Sequence, residues 1–492
     1  MPVALAAPHH VAVDAGRRVA EAGGNALDAA LAAAVMLTVV YPHQCAIGGD
    51  LIALVRSPDG RTRAVLGAGT APAAIEEAAT GWTTVPRFGE AAVTVPGMVS
   101  GWQAIAALSA RRPLAAAFDA AAAVAEDGVP VSAGLARALA AQADAVRSDP
   151  GMRSIFSSDG APLREADALR QPALAATLRR LAIDPADFYT GQTAAAMLEA
   201  LRAAGGVHST DDFAGYSAEV VDALEHGAHG MRWSVAPPPS AGAVLLGVVG
   251  APDAGSATGL VDASIRGVAS RAAHLGDIAA DSPHVAALLS LADGDVDAMR
   301  EPRPTGDTAA VVASDDEGWA VTIVQSVYFT FGAQLLDPAT GVLFHNRGSA
   351  FSTDPASPAA LRGGARPPHT LTPAIIDTDA ATVVAGCQGG RAQPWILAQL
   401  LPETPDAPSL DEVLARPRWV VGAQDLGHDA LTVVTEPGVD PRIPAHAERL
   451  GIPHAAWPSP ADEAGHVQLV RRRGGRLDAA SDPRADGAAI VV

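Results

Sequence analysis

The stretch "TGDTAAVVASDDEGWAVTIVQS", residues 305 to 326, decides how the chain is read. Small and β-branched residues fill "TAAVVAS", "DDEG" carries turn chemistry, and "WAVTIVQS" returns as a second such run, so the segment predicts a buried β-hairpin. Its first strand position is a hydroxyl residue, Thr308, placed directly after Asp307 and a Pro-rich lead-in. A Thr at a strand start is ordinary, because its shape suits a pleated surface. It gains a chemistry of its own if the chain is cut before it. The hydroxyl attacks the carbonyl of Asp307, the peptide opens, and the freed α-amine becomes the base for that hydroxyl. An unperturbed α-amine titrates at about 7.7 to 8.0, so a useful fraction is neutral near physiological pH. No GxSxG elbow or His-Asp pairing competes for the role of nucleophile.

Upstream, residues 1 to about 280 are Ala-rich and read as largely helical. "AGRRVAEAGGNALDAALAAAVMLTVVYP" predicts two helices, with Gly23-Gly24-Asn25 as a stop and Asp28 near the new start. Residues 282 to 307, "SPHVAALLSLADGDVDAMREPRPTGD", hold many acids and three prolines and read as a linker or exposed tail. Downstream of the hairpin, "GVLFHNRGSAFS", "HTLTPAIIDTD" and "ATVVAGCQGG" supply strand and turn material, and "QPWILAQLL" and "SLDEVLARPRW" read as helices. The second part is expected to be strands followed by helices, a layered sheet with helices stacked on it.

Composition excludes several functions. The 492 residues are 49% hydrophobic, enough for one large or two ordinary domains. Lys and Arg together number 34, and every one of them is Arg. The absence of lysine removes Walker-type phosphate loops, protein-kinase sites, pyridoxal-phosphate Schiff bases and Ser/Lys dyads. A formal charge of −20 argues against nucleic-acid and anionic-membrane partners. The one Arg run, Arg471 to Arg473, lies beside a Gly-Gly turn and reads as a solvated loop. Cys45 and Cys387 have no metal or redox spacing and read as free thiols, and the longest apolar run, Ala29 to Tyr41, is short of a membrane span. No metal or cofactor is expected, and the expected location is cytoplasmic.

Five motifs in order resemble the γ-glutamyltransferase family of N-terminal-nucleophile hydrolases: "AGGNALDAALAAAVMLTVVYPHQCAIGGDLIAL", "VTVPGMVSGW", "GDTAAVVASDDEGWAVTIVQSVYFTFG", "NRGSAFS" with "RPPHTLTP", and "GCQGG". The resemblance implies an αββα four-layer sandwich and self-cleavage at Asp307–Thr308. The cut yields a large fragment, residues 1–307, mostly helical with part of the sheet, and a small fragment, 308–492, carrying nucleophile and sheet core. The two fragments are expected to stay associated, and a homodimer is an open option. Carried over, Thr308 takes the nucleophile position, Ser326 holds the new α-amine, and Gly389 and Gly390 form the oxyanion hole, where a Cβ would obstruct backbone N–H groups.

The departures shape the substrate. An Arg that clamps a glutamyl carboxylate in glutathione-processing members is replaced here by Ala68 or Gly69, and an Asp that clamps its amine by Ala350. His369 and Thr370 stand at a tandem-serine position, and Tyr328 at an Asn. Arg347, Arg366 and Arg391 fall in loops that the resemblance places around the nucleophile, and the pattern is closer to the branch that includes oxamate amidohydrolases. Arg366 reads better as a structural ion pair, and Arg391, next to the glycines, as the carboxylate fork. Substrate contacts are therefore expected from Arg391, Arg347, His369, Thr370, Tyr328 and Gln388. The expected activity is cleavage of an amide of a small carboxylate-bearing acyl group through a Thr308 ester. Alternatives are a biosynthetic member cleaving an acyl or oxalyl group, even at a C–C bond, a γ-glutamyl hydrolase or transferase, and an uncleaved binding homologue.

Overall fold

The computed structural model describes residues 2–292, 306–423 and 426–492 as one uncut chain. Two sheets form its centre. In chain order their strands are Val3–Ala7 (β1), Asp50–Arg56 (β2), Thr62–Gly67 (β3), Glu219–Asp222 (β4), Leu224–Ala228 (β5), Met231–Val235 (β6), Gly306–Asp315 (β7), Ala320–Phe329 (β8), Ala374–Asp377 (β9), Ala381–Gln388 (β10), His466–Arg473 (β11), Arg476–Ser481 (β12) and Ala488–Val491 (β13). The first sheet runs β13-β1-β7-β8-β2-β3-β4 and the second β12-β11-β10-β9-β6-β5. The helices used below are His10–Glu21 (α1), Ala26–Val40 (α2), Met98–Ser109 (α3), Gly242–Gly250 (α4), Ala257–His274 (α5), Pro283–Ser290 (α6) and Gln393–Leu400 (α7).

Three separate apolar cores define four layers. Small and β-branched side chains of β7 and β8, among them Ala310, Val312 and Val324, meet Ile375, Val384 and Val470 of the second sheet. The opposite faces of the same strands point outward: Val311 and Ile323 pack under α1, α2 and α3, while Val383, Ala385 and Leu469 pack under α4, α5 and α7. Alternation along each strand thus feeds two cores at once, and the result is an αββα sandwich. The layer between the sheets is thin because its residues are small. A Cβ built on Gly386 of β10 would lie 2.7 Å from the Ala310 Cβ.

The hairpin forms as expected, and so does the helix pair. Asn25 caps α2, accepting from the Asp28 N–H while the Asp28 carboxylate accepts from the Asn25 N–H. Three expectations need correction. Part of the supposed linker is α6: Ser282 caps it, and Val285 and Leu288 are buried in the helical layer over the second sheet. The rest of that segment, 293–305, lies outside the described residues. The C-terminal part does not end in helices, since β11, β12 and β13 complete both sheets. Arg471 to Arg473 belong to β11, not to a loop. Arg471 is buried, donating to the carbonyls of Thr404 and Ala407 and pairing with Asp478. No helix among the described residues is long and apolar enough to cross a membrane.

Candidate active site

Thr308 is not the first residue of its strand in the uncut chain. Gly306 and Asp307 continue β7 and pair with Phe329 and Tyr328. The register slips between Asp307, opposite Tyr328, and Ala309, opposite Gln325, so β8 carries an extra residue across from Thr308. A bulge of this kind re-aims side chains and weakens the ladder at one point, and here that point is the Asp307–Thr308 bond.

The bulge turns Ser326 toward that bond. Its Oγ donates to the Asp307 carbonyl oxygen at 2.5 Å, accepts from the Tyr328 N–H at 2.7 Å and receives the Thr308 hydroxyl at 3.4 Å. One donor and two acceptor sites are all in use. Tyr328 reaches this N–H geometry with φ +79°, a conformation costly for a residue with a Cβ. The surroundings fix it. Gln325, fully buried, donates to the Ala34 carbonyl of α2 and accepts from Trp102 of α3. Asn346 accepts from the Phe329 N–H and donates to the Arg87 carbonyl.

Two cavities lie near the bond, one lined by Asp307 and the other by Tyr328, its partner across the ladder. The first, about 290 Å³, is lined by Asp307 itself with Tyr41, His43, Gln44, Thr330, Gln388, Gly389, Gly390 and His466. The glycines have φ +155° and +51° and open the short turn that leads into α7, where backbone N–H groups gather. Burial pushes the Asp307 carboxyl up to about 7; the Thr330 hydroxyl opposes this, and Asp462 and Glu463 add to it. The second cavity, about 550 Å³, is lined by Tyr328, Phe329, Ala350, Phe351, Arg87, Arg271 and Arg391. Arg347 stacks on Tyr328, its guanidinium carbon 3.5 Å from the ring centroid, and donates to the Pro368 carbonyl.

The structure thus brings Thr308, Ser326, Asp307 and Tyr328 together; Gln388, Gly389 and Gly390 share the first cavity with Asp307, and Arg391 shares the second with Tyr328, on which Arg347 stacks. His369 lies near enough to Arg347 to feel its charge, with its Nε2 3.4 Å from Asp50 Oδ2, and burial drops its pKa to about 4, so the ring is neutral. Thr370 is buried beside it, and its carbonyl accepts from the Thr372 hydroxyl. Arg366 is apart from this group. It is held by Asp277 and Glu219, as its structural reading expected.

Asp50 is the residue the sequence reasoning missed. It sits opposite Ser326 on the neighbouring strand β2. Its Oδ1 accepts from the N–H groups of Gly69 and Gly97, at 3.0 and 2.9 Å, and its Oδ2 faces His345 and His369. A Cβ at Gly69 would stand 1.7 Å from the Val95 carbonyl oxygen, so no side chain fits there, and Ala68 and Ala350 are buried methyl groups. Among the described residues no cluster of His, Cys, Asp and Glu is placed to hold a metal ion.

The profile described as gamma-glutamyltranspeptidase matches residues 12–492. The oxamate amidohydrolase proenzyme of Klebsiella pneumoniae subsp. pneumoniae is 35% identical, with 98% of this chain and 97% of that protein covered. The acylase ACY 1 proenzyme of Pseudomonas sp. (strain V22) is 27% identical over 98% of this chain and 92% of its own length. Among solved structures, cephalosporin acylase from Bacillus halodurans superposes with a TM-score of 0.87 at 26% identity, covering 99% of this chain and 95% of that one.

Proposed function

This chain belongs to the gamma-glutamyltranspeptidase family, and from that premise we propose that it is a self-processing amidohydrolase whose nucleophile is Thr308. Its substrate is the amide of a small carboxylate-bearing acyl group. The observation that carries this reading is the Ser326 hydroxyl, bonded at once to the Asp307 carbonyl oxygen and to the Thr308 hydroxyl. Attack by Thr308 Oγ1 on the Asp307 carbonyl carbon places negative charge on an oxygen that already has its donor. Collapse transfers the acyl group from nitrogen to Oγ1, and water resolves the ester. The products are a carboxyl-terminated Asp307 and a Thr308 with a free α-amine, and the amine then takes the hydroxyl proton in turnover.

In turnover Gly389 and Gly390 receive the oxyanion and Ser326 holds the amine. Arg391, with Tyr328 and Arg347 at the same wall, receives the substrate carboxylate. Likeness to an oxamate amidohydrolase supports a short acyl group with its carboxylate near the scissile amide. The closed space at Gly69 and the methyl groups of Ala68 and Ala350 argue against a glutamyl zwitterion. The test is a mass measurement on purified protein followed by a screen of small amides. Wild type should give pieces of residues 1–307 and 308–492, and Thr308→Ala a single inactive chain. An N-terminus other than Thr-Ala-Ala-Val on the smaller piece overturns the nucleophile assignment.

A further inference from the structure

We propose that the cavity now holding Asp307 becomes a binding subsite for a nitrogen-bearing group of the substrate, an amide NH₂ or an amine, and that the charge created by self-cleavage drives Asp307 out of it. The inference rests on Asp307–Thr308 being the bond that is cut.

In the uncut chain Asp307 lines this cavity, and its carboxyl is badly placed to be an anion. Asp462 and Glu463 stand at the cavity wall, His43 is buried there and neutral, and Arg137 is engaged by Asp462 at 3.2 Å. Desolvation and the two carboxylates hold Asp307 toward its neutral form. Cleavage changes the balance. When water adds its hydroxyl to the Asp307 carbonyl carbon and the ester bond to Thr308 Oγ1 breaks, residue 307 gains an α-carboxylate next to its side-chain carboxyl. Two acidic groups on one residue, near the exposed carboxylates of Asp462 and Glu463, repel one another and those neighbours.

What the departing residue leaves behind is a set of hydrogen-bonding atoms. Among the described residues, His43 Nδ1, Gln44 Oε1 and His466 Nδ1 have no hydrogen-bond partner, and their residues are 3%, 5% and 2% exposed. Buried polar atoms of this kind carry a cost until a partner arrives. Gln44 Oε1 accepts only, and the neutral His43 ring offers an acceptor nitrogen, so the fitting partner brings N–H groups. The acidic wall excludes a carboxylate, which goes instead to the cavity on the Arg391 side. The two cavities then sort the ends of a substrate by charge.

The test first measures the mass of the large fragment. If it does not end at Asp307, the functional reading fails before this one is reached. With the cut established, mature wild type is titrated with two peptides copying its own tail, Pro-Thr-Gly-Asn with a C-terminal amide and Pro-Thr-Gly-Asp as the free acid. The neutral peptide should bind at least tenfold more tightly, and the gap should shrink below threefold in an Asp462→Asn, Glu463→Gln double variant. In mature Asp307→Asn, hydrogen exchange at the amides of residues 306 and 307 should be at least tenfold slower than in wild type. Equal affinity of the two peptides, binding of neither, or wild-type exchange in mature Asp307→Asn overturns the proposal. If Asp307→Asn does not process, the peptide titration decides alone.

Discussion

Replacing Ser326 by Ala removes three interactions at one atom, and they can be separated by what they affect. The bond to the Asp307 carbonyl oxygen, 2.5 Å, is the one aimed at developing charge. Loss of one oxyanion donor typically costs about 10²- to 10³-fold in rate, or about 2.7 to 4 kcal/mol of barrier. The Tyr328 N–H at 2.7 Å is left without its acceptor in a buried place, which costs about 1 to 3 kcal/mol of stability and does not act on the chemical step. Ser326→Ala should therefore convert from one chain to two at least ~100-fold more slowly than wild type. Its thermal midpoint should fall by only a few degrees, as a loss of that size implies for a chain this long. The assay is a time course of intact mass, begun on freshly refolded precursor well below the midpoint. Processing within tenfold of wild type would mean that another group stabilises the oxyanion, and the role given to the bulge on β8 would be wrong. Any processed Ser326→Ala should then turn over amides about 10- to 1000-fold more slowly through a misplaced α-amine.

Arg391→Ala should raise KM for the true substrate more than it slows self-cleavage, since the cut at Asp307 needs no substrate carboxylate; comparing KM with the processing half-time checks this. Wild type should act on γ-glutamyl anilides roughly 10²- to 10⁴-fold less well than on a matched amide, from two missing charge-assisted contacts, and parity in kcat/KM would refute the substrate argument. Asp50→Ala leaves the Gly69 and Gly97 N–H groups buried without an acceptor and should destabilise the fold by about 2 to 5 kcal/mol, read from urea midpoints. Burial lowers His9, His208 and His369 to about 4 and His43 to about 3. The unfolded chain then binds more protons between about pH 6.5 and 4, so stability falls with pH there by about 1.4 kcal/mol per unit for each such ring. Asp307 acts oppositely: its stabilisation of the uncut chain is full below its ordinary value of 3.8 and is lost as pH rises through about 7. Urea midpoints of Thr308→Ala at pH 5 and 7 should show the histidines winning, with the lower midpoint at pH 5.

The hairpin, the helix pair and the Gly389–Gly390 turn were legible because each is encoded by neighbours in sequence: β-branched runs, a capping box, paired glycines. Asp50 was not, although "GGDLIAL" was in view, because its meaning comes from His345 and His369, brought to it only by the fold. Arg471 looked solvated for the same reason, since its carbonyl partners lie on a distant turn. The helix α6 was readable from Ser282, Pro283 and "VAALL", but the acids and prolines after it outweighed those signals. The bulge left no mark in the sequence at all. It follows from Tyr328 taking a left-handed backbone that nothing in its side chain favours.

The strand order of the first sheet has a consequence for the cut protein as an assembly. Strand β1, from the large fragment, lies between β13 and β7 of the small one, and β8 of the small fragment lies against β2 of the large. Three ladders in this sheet, and a fourth between β6 and β9 in the second, would stitch the two pieces together, with no disulfide among the two cysteines. Such an interlocked pair holds while folded, yet it has lost the covalent tether that made those pairings intramolecular. Once melted, strands that were at high effective concentration must find each other by diffusion. The same cut that arms the enzyme would then erase its route back to the fold, so that each molecule is assembled once and its lifetime is set by how slowly it first comes apart.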